Sequence, residues 1–290
     1  MRELKKPTTY KEQLEKIKSR GCAVTCDVEC IEQLRRIGYY RLTGYFLPFK
    51  EGERYRDRTS FTQVLSAYEF DRKMHSILSL AIEEIEVQLR STLSYFHAHK
   101  YGEEGYINLA NFSGVHAYTK FISTFLRATS KDSSLIVEHH KNHYRNRLPI
   151  WAAFELLSFS ALSRFYCSLK VADKKAIAKQ FDKNYHYKDV ESWITCCVDL
   201  RNACAHYSRL YYHYFPREAR NIPAPTLSED DYAKRRLFAH ICALQNLYPN
   251  TEAWQNEVVN PIAALIDQYG EHINLLHIGF PSDWERILRS

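Results

Sequence analysis

The chain has 290 residues, enough to bury the core of one large domain or two ordinary ones. Its 45% hydrophobic and 26% charged residues exclude a disordered chain, and only nine glycines and nine prolines disfavour a many-stranded sandwich or a glycine-rich nucleotide fold. An all-α class remains, and the formal charge of +6 permits a polyanionic partner without requiring one.

Met1 to Arg20 holds seven Lys/Arg and no apolar run, so no secretory signal is expected. The most apolar stretch, 151–169, is interrupted by Glu155 and Arg164, so no membrane span is expected either. Eight cysteines without a signal then read as free thiols in a reducing cytoplasm.

In chain order, residues 8–20 and 27–38 predict short helices, with Thr8 or Thr9 and Asp27 as N-caps and Gly21 and Gly38 at the C-terminal ends. A tyrosine-rich segment follows over 38–48. Residues 1–60 carry 14 Lys/Arg against 9 Asp/Glu, nearly all of the positive excess. From Phe61 to about His97 the apolar spacing predicts a helix of roughly 55 Å. Further helices are expected over 115–128 and 132–147, the latter stopping at Pro149. Residues 150–169, apolar nearly all round, predict one central buried helix. Helices over 173–182 and 189–214 precede a proline-punctuated loop at 216–225, and a pair over 229–247 and 251–269 closes the chain. The division that follows is a basic, tyrosine-rich helical segment over 1–60, a helical core over 61–215 and a C-terminal helical pair over 216–290.

The 189–214 segment carries the candidate chemistry. With Arg201 set at 0°, Trp193, Cys197, Leu200, Cys204, Tyr207 and Tyr211 fall between about −120° and −40°. Asp199, Asn202, His206, Arg209 and His213 fall between about 80° and 160°, a polar stripe at whose margin Arg201 sits. Such a set suits phosphate chemistry. An imidazole exchanges protons at neutral pH, a guanidinium clamps a phosphate, and an amide orients either. RNA supplies its own nucleophile, the 2′-hydroxyl, so no metal is required. Any surface helix also has a polar face, and Arg-x4–6-His spacing recurs at Arg90/His97 and Arg235/His240, so spacing alone decides nothing.

The longer string Leu200-Arg201-Asn202-Ala203-Cys204-Ala205-His206-Tyr207-Ser208-Arg209-Leu210-Tyr211 resembles the "LRN-x-C-AH-x-SRLW" signature of the abortive-infection Abi-like family, AbiD/AbiF group, within the HEPN superfamily. Ile37 to Tyr45 resembles its "IGYYRLSGY", Phe70-Asp71-Arg72-Lys73 with Ala81 to Arg90 its "FDRKLR…AIERIEVSLR", and Pro149 to Phe159 its "PIWVALEVLSF". The resemblance implies a HEPN-type helical bundle with additional N-terminal and C-terminal helices. It also implies a metal-independent endoribonuclease leaving a 2′,3′-cyclic phosphate, with Arg201, Asn202 and His206 as the catalytic set. No cofactor is implied. With a single motif per chain, it implies a homodimer with a composite site, acting in phage defence and partnered by a structured non-coding RNA. Tyr211 and Tyr212 depart from the usual Trp and Asn.

Tyr39, Tyr40, Arg41 and Tyr45, with Arg35 and Arg36, interleave rings and cations in the manner of an RNA surface, and Arg209 and His213 are further candidates. Arg54, Arg56 and Arg58 add charge nearby. The same tyrosines also suit core-edge packing, and a non-enzymatic RNA-binding module of the same fold is the competing reading. Glu155 is expected to be a buried carboxylate in an ion pair, and Glu86 and Arg90 a helical pair. Cys22, Cys26 and Cys30 lack zinc-site spacing. His139, His140 and His143 with Lys141, Arg145 and Arg147 read as a basic face, and Cys196, Cys197 and Cys204 as core thiols.

Overall fold

Two reciprocal caps begin the first helix and the longest one. Thr9 Oγ1 accepts from the Glu12 amide while Thr9 N donates to the Glu12 carboxylate at 2.6 Å, starting α1 (Tyr10–Ser19). Ser60 and Gln63 do the same for α4 (Phe61–Tyr101). In this computed structural model, residues 4, 6–130, 132–181, 185–222 and 233–290 are described. Among them the only sheet is a two-stranded hairpin, β1 (Lys50–Glu51) and β2 (Arg54–Tyr55), so the fold is all-α.

α2 (Asp27–Ile37) begins one residue earlier than its expected cap implies. Cys26 is the N-cap, and Asp27 is the first helical residue, where its charge favours the positive end of the helix and pairs with Lys18 at 2.7 Å. Gly38, at φ 91°, both ends α2 and starts α3 (Tyr39–Phe46), a reversal that a side chain would strain. α4 runs for 41 residues, about 60 Å, and is the axis of the molecule. It packs against α3, α7 (Ile150–Glu155), α10 (Tyr187–Ala205) and α13 (Asn260–Tyr269). α5 (Val115–Thr129) and α6 (Leu135–Tyr144) follow it, the second shorter at both ends than expected.

The apolar run 150–169 is not one helix. It breaks after α7 and resumes as α8 (Phe159–Ser168), with Ser158 Oγ capping the Ala161 amide. The carbonyls freed at the break are taken by Arg90, which donates to Phe154 O at 3.0 Å and Leu157 O at 3.1 Å. Burial on every side hides such a break from an apolar pattern. Arg90 also holds Glu86 at 2.9 Å, as expected, whereas Glu155 is exposed and lies 4.0 Å from Arg90. After α9 (Val171–Ala178), α10 crosses α4 and α8 and is covered by α11 (Leu237–Leu247). The expected start of that last helix at 229, with Pro223 and Pro225 of the preceding loop, falls outside the described residues.

α12 (Thr251–Trp254) widens into a π turn before α13, directly ahead of Pro261, which has no amide proton for the regular bond. The chain continues past the expected last helix into α14 (Trp284–Arg289). One connected cluster of buried apolar side chains extends from Leu14 to Leu288. All eight cysteines are free, with Cys196, Cys197 and Cys204 buried. Among the described residues no helix is long and apolar enough to cross a membrane.

His97 and His240 lie fully inside this core. His97 packs among Tyr101, Phe112 and Phe165 with neither ring nitrogen bonded, and His240 stacks on Phe215 at 4.1 Å. Burial pushes both imidazoles down to about 4. The unfolded chain protonates them near pH 6.5 and the folded chain only near 4, so stability is present above pH 6.5 and is lost as pH falls toward 4. Each is expected to remove about 2 kcal/mol between pH 7 and pH 5. Urea unfolding at the two pH values measures the loss, and His97→Leu is expected to reduce it.

Candidate functional site

The end of α10 builds the site. Helical geometry runs through Ala205, not to 214, because Tyr207 adopts φ 51° and turns the chain back. The Ser208 amide donates to Ala203 O at 2.8 Å and the Tyr207 amide to Cys204 O at 3.1 Å, the two bonds of a Schellman ending with tyrosine where glycine is usual. His206 is the residue at which the helix stops, its amide still bonded to Asn202 O at 3.1 Å. Asn202 and His206 therefore keep their one-turn relation. Arg209 and His213 are not on the helix, and the expected five-residue stripe is shortened to Asp199, Asn202 and His206.

Arg201 and Asn202 face different clefts. Arg201, Cys204 and Ala205 line one of about 350 Å³ against α4, which contributes Ser79, Glu83, Glu86 and Arg90. Asn202 lines another of about 510 Å³ bounded by α5 and α8, together with Asp199 and Arg217. His206 is exposed at the end of the ridge between them. Among the described residues, the side chains of Arg201, Asn202 and His206 have no hydrogen bond or ion pair.

The loop after His206 is held by the two N-terminal blocks of the signature. Arg41 Nη1 donates to Tyr207 O at 2.8 Å, Arg209 Nη1 donates to Gly44 O at 2.6 Å, and His75 Nε2 lies 2.8 Å from Ser208 O. Arg209 lies flat on Gly44, where an added Cβ would meet it at 3.4 Å. Asp71, fully buried, accepts from the Tyr45 hydroxyl at 2.7 Å and from the amides of Leu210 and Tyr211 at 2.9 and 2.8 Å. Burial raises its pKa, opposed by His75 and by these three donors. Tyr211 closes the loop from the other side: its hydroxyl lies 2.9 Å from His277 Nδ1 and accepts from the Asn274 amide at 2.9 Å.

The RNA-facing candidates divide accordingly. Tyr45 is 2% exposed and points into the core, which corrects its expected place on an RNA surface. Arg209 is half-buried, and burial lowers its pKa; His213 packs edge-on against Phe215, and burial lowers its pKa as well. Arg36 is tied to Glu69 at 2.8 Å, and Arg35 lies 5.8 Å from the Tyr10 ring centre. Tyr39 is half-buried beneath Lys16, whereas Tyr40 is 92% exposed beside Arg41. The sequence marks Asp71 only as one letter of a block, because its partners are 26 to 140 residues away.

His139, His140, His143 and Tyr144 form a ring cluster in a cleft with Trp151, and Arg147 there is paired with Glu104. Among the described residues no group of three or more His, Cys, Asp or Glu side chains is placed to hold a metal.

Comparison with curated proteins and with solved structures finds no match. The family described as Abi-like protein matches residues 32–212, from α2 through the loop that Asp71 anchors. That span covers more than half of the chain and includes Arg201, Asn202 and His206; the chain belongs to the Abi-like protein family.

Proposed function

We propose that the protein is a metal-independent endoribonuclease of abortive-infection type, of the HEPN kind its motif resembles, acting in the cytoplasm against phage. Family membership supports the abortive-infection role. The observation that carries the activity is that Arg201, Asn202 and His206 lie within the last turns of one helix, Arg201 and Asn202 on either side of the ridge that ends at His206, with no side-chain hydrogen bond or ion pair among the described residues. His206 exchanges the proton, on the 2′-hydroxyl as it attacks phosphorus or on the departing 5′-oxygen. Arg201 holds the non-bridging oxygens as negative charge builds, and Asn202 orients the phosphate or the imidazole. The products are a 2′,3′-cyclic phosphate and a 5′-hydroxyl.

Two features support a homodimer. The motif occurs once per chain, and exposed Leu80 and Val87 of α4 flank the cleft that Arg201 lines. A second copy seated there brings two Arg201 residues to one composite site. Exposed Tyr40, with Arg35 and Arg41 on the same short segment, supports contact with a structured RNA partner. The test is incubation of the purified protein with total RNA in excess EDTA. Cleavage fragments ending in cyclic phosphate are expected, and intact RNA that nevertheless co-purifies with the protein would favour the binding-module reading.

A further inference from the structure

The cleft bounded by α5, α8 and α10, on the Asn202 side of the ridge, contains groups that the catalytic reading leaves unused. Three cations reach it from separate segments: Lys120 on α5, Arg164 on α8 and Arg217 beyond α10. Lys120 and Arg164 have no carboxylate within ion-pair distance among the described residues, and Arg164 is steadied only by the Thr124 hydroxyl at 3.3 Å. Arg217 pairs with Asp199, the one carboxylate lining the cleft. The Asp199 side chain is 9% exposed, and its Oδ2 is buried without a hydrogen-bond partner.

An excess of cations around an open cleft suits a polyanion, and the unpartnered oxygen narrows which one. An ionised carboxylate only accepts hydrogen bonds, and leaving it unpaired in a buried place is costly. A nucleic-acid backbone consists almost entirely of acceptors, and its one donor is the ribose 2′-hydroxyl, which DNA lacks. The geometry points to this cleft as the seat of the RNA sugar–phosphate backbone, with phosphates on Lys120 and Arg164 and a 2′-hydroxyl donating to the Asp199 carboxylate, whose covered Oδ2 turns toward the cleft as RNA enters. Asp199 then sets the preference for ribose over deoxyribose, and Asn202 joins this track to His206. The inference rests on the reading of the protein as one that acts on RNA. It moves the main backbone contact away from the N-terminal arginines, two of which are already tied to Glu69 and Tyr207.

The test uses the full chain carrying His206→Ala, so that bound RNA survives. Fluorescence anisotropy follows binding of one 20-nucleotide sequence as RNA and as DNA across a salt series. Lys120→Glu with Arg164→Glu is expected to weaken both ligands by at least about tenfold and to flatten the single-strand salt dependence by about 1.4 in log–log slope. Asp199→Asn is expected to cut the RNA-over-DNA preference about tenfold while sparing DNA binding. Arg217→Gln separates loss of the ion pair from loss of the acceptor, since it leaves the ribose preference in place. Unchanged RNA binding by the double variant, an unchanged RNA-to-DNA ratio in Asp199→Asn, or no RNA binding by the parent would each overturn the inference. Cleavage by the wild type is scored separately. RNA held in this cleft without turnover sinks the nuclease reading alone, and turnover with unaltered binding in the double variant sinks the cleft alone.

Discussion

Arg201→Ala and His206→Ala are each expected to slow RNA cleavage by roughly 10²-fold or more while leaving a protein that folds. The size follows from the proposed roles: a positioned general acid or base contributes about 10²–10⁴, and a charge clamp on a developing oxyanion about 10²–10³. The clean separation from stability follows from the surroundings. Neither side chain bonds to any described residue, and His206 is exposed, so the cost in unfolding free energy is expected to stay within about 1 kcal/mol. Initial rates on a labelled RNA, with thermal melts of the same preparations, measure both quantities. Because groups acting as a unit are not additive, the double variant is expected to be little slower than the worse single one. Equal rates in all of the proteins would move the chemistry elsewhere.

Asp71→Ala is the substitution expected to damage the fold most. It orphans the Tyr45 hydroxyl and the amides of Leu210 and Tyr211 in a place without water access, for about 3–5 kcal/mol in total. A melting temperature lower by roughly 10 °C is the expected result. Tyr45→Phe removes one of the three bonds and is expected to cost about 1–2 kcal/mol, which leaves the carboxylate with two donors. A nearly unaltered melt for Asp71→Ala would show that the loop after His206 is held by other means.

The helices were legible wherever a local rule places them. Thr9 announces α1 by its side chain, apolar spacing from Phe61 announces α4, and the scarcity of glycine and proline already favours helix throughout. The end of α10 was not legible, because Tyr207 occupies the left-handed position that glycine normally marks. Periodicity carried past that point assigned Arg209 and His213 to a face that does not exist. Asn202 and His206 were placed correctly relative to each other because both precede the turn. The division of Arg201 and Asn202 between two clefts depends on α4 on one side and α5 with α8 on the other, which no single-helix projection contains. Lys120 and Arg164 carry no local signal for the same reason: they meet only across helices. Tyr45 looked like a stacking platform, since a tyrosine beside arginine reads alike whether its ring faces a base or a buried carboxylate.

The bonds that steady the loop after His206 join residues 41 and 44 to residues 207 and 209, spans of 166 and 165 positions. Loops of that length close late, after local helices have already formed, because entropy must be spent before the contacts repay it. The helix bearing Arg201 and His206 is thus complete before the segment that orients its last residue. A nascent or partly opened chain carries the letters of the motif without its geometry, so on the proposed function any activity arrives only with the finished tertiary structure.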